Sequence, residues 1–153
     1  MQALELRIPP VGLFLLWAAG MGGVAALAPA PRITFPGQLL VASLLLLAAG
    51  LVGLASVRTF ARHETTVNPL RPERASRLVA AGIYRYSRNP MYLSLLLALA
   101  AWATWLGSVP AAIVMPGFVW AMNRWQIRPE ERALAALFGA EFEDYRRSVR
   151  RWL

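Results

Sequence analysis

Three long runs of the chain contain no charged side chain, and they constrain the fold more than any other feature. Residues 11–28 and 38–57 form runs of 18 and 20 residues, close to the ~20 apolar residues that a membrane-spanning helix needs. Residues 91–123 form a run of 33, interrupted by a turn signal at 107–110. The pattern predicts an all-α integral membrane protein with four transmembrane helices, the last two forming a tight hairpin, at about 11–28, 38–57, 90–107 and 109–126.

The composition agrees with one membrane domain and argues against other classes. Hydrophobic residues make up 58% of the chain and charged residues 16%, with a mean hydropathy of +0.46. A soluble domain is about half apolar and a quarter charged, and a disordered chain is poor in apolar residues. The sequence has no cysteine, which excludes disulfides, thiolate metal sites and cysteine nucleophiles.

The basic residues are all arginines, 16 against 8 acidic residues, and their positions predict the orientation. Seven lie in the loop 58–89 and seven follow residue 123, whereas Arg7 and Arg32 are isolated near the first span. Because arginine is enriched in cytoplasmic loops, we expect the loop, the C-terminal helices at 129–152 and both termini in the cytoplasm. The arginine-only basic set and the lack of an organelle address favour a bacterial cytoplasmic membrane.

The first apolar run has an alternative interpretation as a cleaved signal peptide. Arg7, the apolar stretch and Ala26-Leu27-Ala28 resemble such a leader. The run is longer than the usual leader core, and Pro29 would directly follow the cut. Both points favour a retained helix.

The first of two polar blocks, residues 78–92, holds several reactive side chains. Asn89-Pro90 predicts the start of a helix, with asparagine as the cap and proline at the first position. Tyr84, Tyr86 and Tyr92 crowd the same segment. These tyrosines serve either as anchors at the membrane interface or as the walls of a pocket for a flat, hydrogen-bonding ring.

The second polar block, residues 128–145, begins with Arg128-Pro129-Glu130-Glu131. Proline at the first position and acidic residues in the first turn favour a helix start. Gly139 is expected to end that helix, and another follows over 140–151. These amphipathic helices could simply lie on the bilayer surface, in which case the two glutamates need no further role.

Other kinds of site find no support in the sequence. His63 is the single histidine, so no metal site is expected. No serine elbow and no phosphate-binding glycine loop is present. Because the arginines flank the predicted spans, we expect no nucleic-acid partner.

Together the two blocks, separated by a two-span hairpin, resemble the signature of the isoprenylcysteine carboxyl methyltransferase and phospholipid methyltransferase superfamily. The first block is similar to the family's glycine-x-tyrosine followed by arginine-histidine/asparagine-proline-x-tyrosine. The second is similar to its paired glutamates, phenylalanine-glycine and spaced tyrosines. The resemblance runs from about Thr65 to Trp152 and implies a small membrane enzyme that uses S-adenosylmethionine.

The resemblance also implies roles for individual residues. The C-terminal helices would fold back and cover the cofactor, with Glu130 binding a polar part of it. The residues expected to bind the cofactor are Leu78, Val79, Tyr84, Arg88, Asn89, Pro90, Met91, Tyr92, Glu130 and Glu131. Those expected to act on the methyl acceptor are Gln126, Arg128 and Arg124.

The sequence departs from the family pattern at Phe142 and at Gln126, and the second departure bears on the substrate. Phe142 stands where the first tyrosine of the final pair is usual, while Tyr145 keeps the second. Gln126 stands where the carboxyl-methylating enzymes place an arginine that orients the substrate. Glutamine can hydrogen-bond a substrate but cannot neutralise a carboxylate, which disfavours a carboxylate acceptor.

The sequence thus predicts a membrane methyltransferase that acts on a small lipophilic or lipid-like acceptor, in contact with membrane lipids. Two alternatives remain: a non-catalytic membrane interaction module and a relative of the nicotinamide-dependent membrane reductases. The small residues in the first two spans allow close packing within one chain or between two. The oligomeric state is therefore left open.

Overall fold

A computed structural model describes residues 5–28, 30–62 and 78–153, and all regular elements in these ranges are helices. The all-α prediction is confirmed there. Part of the predicted loop 58–89, with Arg71, Arg74, Arg77 and His63, lies outside the described residues. The helices are α1 (Pro10–Leu27), α2 (Gln38–Arg62), a 3₁₀ turn (Gly82–Arg85), α3 (Pro90–Leu106), α4 (Val109–Ile113), α5 (Met115–Met122), a π-helical segment (Asn123–Ile127), α6 (Arg128–Phe138) and α7 (Ala140–Ser148).

Two of these helices, α1 and α2, are long and apolar enough to cross a membrane. The helix α3 is also apolar but has 17 residues. Many leucines of α2 are exposed on one side, among them Leu40, Leu47 and Leu54. A soluble monomer rarely exposes so large an apolar face, whereas in a bilayer hydrocarbon covers it.

The helix α3 lies at the centre, in contact with α1, α2, α4 and α5. The buried core comprises side chains of α1, α3, α4, α5 and the π segment, with Leu13, Leu99 and Phe118 fully buried. The helices α2 and α3 approach each other closely at Gly53. A Cβ atom at this position would lie 3.3 Å from Ser94 Oγ. The bundle is therefore organised around α3, whose first turn carries the buried Tyr92.

The turn predicted at 107–110 is confirmed. Gly107 ends α3 in the left-handed region, at φ 61°. The Ser108 hydroxyl then accepts a hydrogen bond from the Ala111 amide, which starts α4. The amide of Ile33 donates to the Gly107 carbonyl at 2.8 Å, so the α1–α2 connection and this turn lie at the same end of the bundle.

The predicted helix 109–126 is not a single helix, which corrects the expected hairpin. It is interrupted at Val114, because Pro116 has no amide hydrogen to donate to the preceding turn. The expected break before residue 129 is also wrong, since α5, the π segment and α6 run on continuously. An α-helical Pro129 would clash with the Trp125 carbonyl, and the wider π turn avoids this clash.

The first described residues, 5–8, lie against the π segment, and we call them the N-terminal strap. Its Leu6 amide donates to the Trp125 carbonyl at 3.0 Å. The Gln126 side chain donates through Nε2 to the Ile8 carbonyl at 2.6 Å. The Glu5 carboxylate forms ion pairs with Arg124 of the π segment and Arg132 of α6.

Candidate active site

The two polar blocks meet at the end of the bundle opposite the 107–110 turn. Tyr92 lies in the first turn of α3 and Glu130 in the first turn of α6. The Tyr92 hydroxyl donates to Glu130 Oε2 at 3.0 Å. A phenol and a carboxylate far apart in the sequence thus form the centre of the candidate site.

Tyr84 forms a second wall and is also buried. Its ring packs edge-on against Phe60 of α2, with ring centroids 5.1 Å apart. Its carbonyl accepts a hydrogen bond of 2.7 Å from the Tyr145 hydroxyl of α7. Burial raises the pKa of the Tyr84 phenol well above its ordinary value, so the hydroxyl stays protonated and can donate.

Gly82 permits the close approach of this 3₁₀ turn to α2. Its φ is +58°, and a Cβ there would lie 2.8 Å from Thr59 Oγ1. Residues other than glycine rarely adopt this backbone conformation. Glycine at position 82 therefore lets Tyr84 sit against α2.

Burial is the main cause that raises the pKa of Glu130 to about 7, while the Tyr92 hydrogen bond opposes it and Glu131 adds to it. No cationic side chain within residues 5–28, 30–62 and 78–153 forms an ion pair with Glu130. A cationic ligand would supply the missing opposite charge and favour the ionised carboxylate.

Glu131, the next residue, has its charge already matched. Arg88 Nη2 lies 2.8 Å from its Oε1, and Arg151 reaches Oε2 at 2.6 Å and Oε1 at 3.1 Å. Burial alone would raise the pKa of Glu131, but hydrogen bonds from Arg151 and Arg88 hold it below its usual range. The paired glutamates therefore have different roles in this structure, and cofactor contact by Glu131 stays a prediction.

The chain after α7, residues 149–152, folds back over the first block. Arg88 donates to the backbone carbonyls of Arg146, at 2.9 Å, and Val149. The Asn89 side chain donates to the Arg151 carbonyl at 2.9 Å. The helix α3 begins at Pro90 as expected, but the prediction that the Asn89 side chain caps it is wrong, because that amide holds the tail.

The three residues expected to act on the acceptor do not converge. Arg124 is paired with Glu5, and Arg128 is exposed on α6. Gln126 is fully buried, and its Oε1 has no hydrogen-bond partner among the described residues. Their action on an acceptor stays a prediction.

The apolar residues predicted near the cofactor lie beside these polar groups in the chain. Val79 and Pro90 are buried, and Leu78 and Met91 are half-buried. Sequence reasoning missed Phe60 and Ser56, which contact Tyr84 from α2, and Glu5 in the strap. No motif in the neighbouring sequence marks these residues, because only tertiary packing brings them to the site.

The described residues form a helical protein with two helices long and apolar enough to cross a membrane. The phospholipid methyltransferase family matches residues 38–141, about two thirds of the chain, and the protein belongs to this family. The match contains Tyr84, Tyr92 and Glu130, and it leaves out α1, the N-terminal strap and the C-terminal tail. Family membership indicates methyltransferase activity in general, in agreement with the resemblance found in the sequence.

One relative is a protein of Haemophilus influenzae described only as uncharacterized. It is 48% identical over 63 residues, which are 41% of this chain and the whole length of that protein. No solved structure matches the chain.

Proposed function

We propose that the protein is an S-adenosylmethionine-dependent methyltransferase that modifies a lipophilic acceptor at the membrane. The observation that carries this proposal is Glu130, a half-buried carboxylate bonded to Tyr92 and without a described cationic partner. Family membership supports methyl transfer, and the apolar helices support a membrane location.

The residues at the site fit such a cofactor. Glu130 would bind a positively charged or hydroxyl-bearing part of it through charge-assisted hydrogen bonds. Tyr84 and Tyr92 would flank its flat ring, with Leu78, Val79 and Met91 as apolar lining. When bound, S-adenosylmethionine supplies a methyl group already activated on a sulfonium.

The chain's own residues then align the reactants and exclude water. The C-terminal tail, held by Arg88 and Asn89, would close the site from solvent. Glu131 would contribute to catalysis by holding the tail closed, because its carboxylate binds both Arg88 and Arg151. No nucleophile or metal is needed for the protein's part in such a transfer.

The acceptor is proposed to be a lipophilic molecule without a carboxylate at the reacting end. Gln126 is uncharged, and its buried Oε1 can accept a hydrogen bond from an acceptor group. Replacing Gln126 with alanine should raise the KM for the acceptor by a larger factor than it weakens cofactor binding, which it also affects through the lost contact with the Ile8 carbonyl. Unchanged kinetics with the true acceptor would remove Gln126 from the site.

The proposed topology has four membrane crossings with the site at the cytoplasmic end. Arg58, Arg62 and Arg85 lie at that end on α2 and the 3₁₀ turn. The connection 30–37 and the turn at 107 lie at the other. This distribution supports the arginine-based orientation, with both termini in the cytoplasm.

Calorimetric binding to the purified, detergent-solubilised protein tests the function. S-adenosylmethionine and S-adenosylhomocysteine should bind, and the nicotinamide dinucleotides should not. Glu130→Gln should weaken binding at least about tenfold, or ~1.4 kcal/mol, whereas the exposed control Glu141→Gln should not. Equal affinities of Glu130→Gln and wild type would remove Glu130 from the site. Binding of nicotinamide dinucleotides alone would favour the reductase alternative.

A further inference from the structure

The π-helical segment decides which glutamate faces Tyr92. The Arg128 amide bonds to the Asn123 carbonyl, a spacing of five residues rather than four. One extra residue is thus accommodated in a turn, which rotates all later residues by ~100° relative to an uninterrupted α-helix. In an uninterrupted helix, Pro129 would take the present place of Glu130, and Glu130 would face the arginines that now bind Glu131.

Glu5 of the strap bridges two arginines that this register brings closer together around the helix axis. Arg124 and Arg132 are eight residues apart, which in an α-helix separates them by ~80° around the axis. With the extra residue of the π turn, the separation is close to that of seven α-helical residues. Seven residues make about two turns, so the two side chains lie within ~20° of each other around the helix axis. The Glu5 carboxylate pairs with both guanidinium groups.

The strap also satisfies a backbone group that Pro129 leaves unpaired. In an α-helix the Trp125 carbonyl accepts from residue 129, but proline has no amide hydrogen. The Leu6 amide donates to this carbonyl at 3.0 Å instead. Leu6 adopts a φ of 56° to do so, the one positive φ at a non-glycine residue in the described chain.

Pro129 alone does not determine the register, because a helix can also accommodate proline by a kink. Gln126 and Glu5 add contacts that an alternative register would break. The Gln126 side chain, inside the π segment, is fully buried and binds the Ile8 carbonyl at 2.6 Å. Three contacts of different chemistry thus connect the strap to the π turn.

We propose that the N-terminal strap clamps the register of the π segment, with Glu5 as a positioning residue that keeps Glu130 facing Tyr92. The effect on cofactor binding rests on the proposed function, whereas the effect on the register does not. Glu5 lies outside the residues that match the family, 38–141. The residues of the strap therefore lie on the N-terminal side of the region that matches the family.

The test compares Glu5→Gln with Glu141→Gln, an exposed acidic residue of α7, in the full-length purified protein. Glu5→Gln should weaken S-adenosylmethionine binding about tenfold, since misplacement of a binding group is costly, and Glu141→Gln should leave it unchanged. Exchanging the charges, as Glu5→Arg with Arg124→Glu and Arg132→Glu, should restore most of the affinity. Unchanged affinity in Glu5→Gln would overturn the clamp.

A second measurement reports the register without any cofactor. The chain has no cysteine, so Arg128→Cys and Ala136→Cys provide single reactive sites, both exposed in the present register. A slip moves residue 128 into the buried place of Pro129 but moves residue 136 into the exposed place of Leu137. Labelling by a water-soluble maleimide should therefore fall at position 128 and persist at position 136 when Glu5→Gln is added.

The two measurements separate the possible failures. If Glu5→Gln lowers affinity while labelling at position 128 is unchanged, Glu5 does not act through the register and the proposal is wrong. If the wild-type protein binds no adenosyl ligand, the proposed function fails, and the labelling ratio between positions 128 and 136 alone decides the clamp.

Discussion

Glu130 should reduce the stability of the protein while serving the site, and Glu130→Gln isolates this effect. Burial raises its pKa from 4.5 to about 7. At about 1.4 kcal/mol for each pH unit, this difference corresponds to about 3 kcal/mol of destabilisation by the ionised form. Because the residue is partly exposed, this value is an upper bound. Glutamine is similar in shape, can still accept from Tyr92 and carries no charge.

The sign of the pH dependence follows from proton binding. Between pH 4.5 and 7 the folded state holds a proton on Glu130 that the unfolded state has lost, so stability falls as the pH rises through this range. The advantage of Glu130→Gln should be fully present above pH 7 and absent below pH 4.5. From the two pKa values we expect at most about 3 kcal/mol at pH 8 and at most about 1 kcal/mol at pH 5.

Thermal and chemical unfolding of both proteins in the same detergent, at pH 5 and pH 8, measures this difference. The variant should unfold at a higher temperature, with the larger increase at pH 8, although it binds the cofactor weakly. Glu141→Gln, which changes an exposed carboxylate, should show no such trend. A variant that is equally stable or less stable at pH 8 would refute the view that Glu130 is held ionised at a cost.

Three further predictions concern the site and its supports. S-adenosylmethionine should bind about eightfold more tightly at pH 7.5 than at pH 6, as Glu130 ionises with its pKa of about 7; a flat calorimetric profile in wild type, or the same slope in Glu130→Gln, would contradict this. Arg88→Ala should release the C-terminal tail and cost ~1–3 kcal/mol, since Glu131 loses one of its two partners; faster hydrogen exchange after residue 145, unmatched in the exposed control Arg85→Ala, would show it. Gly82→Ala should destabilise the protein by more than ~1 kcal/mol because of its φ of +58°, whereas Gly50→Ala, in open space within α2, should not; equal melting temperatures would refute this.

Local signals in the sequence located much of the fold. Uncharged runs identified α1, α2 and α3, and Pro90 marked the start of α3, because these features act through the bilayer and the backbone alone. The turn after Gly107 followed from the same local chemistry. Pro116 was not used in the prediction, and its missing amide hydrogen explains why the expected fourth helix is interrupted at Val114.

The site was predictable as a set of residues but not as an arrangement. The spacing of the two motifs indicated Tyr84, Tyr92 and Glu130 as site residues. In the structure the Tyr92 hydroxyl is hydrogen-bonded to Glu130. The resemblance implied that both Glu130 and Glu131 bind the cofactor, with Glu130 contacting a polar part of it. Their environments differ because Arg88 of the first block and Arg151 of the C-terminal tail both bind Glu131 and not Glu130.

The helical class, the apolar segments and the two polar blocks follow from the amino-acid sequence, since these depend on composition and on interactions between near neighbours. Tertiary structure alone decided the helical register before Glu130 and therefore which carboxylate faces Tyr92. That register depends on contacts between residues 5–8 and 124–132, more than a hundred positions apart. Such contacts have no period or spacing in the sequence, and they exist only once α1 has packed on the bundle.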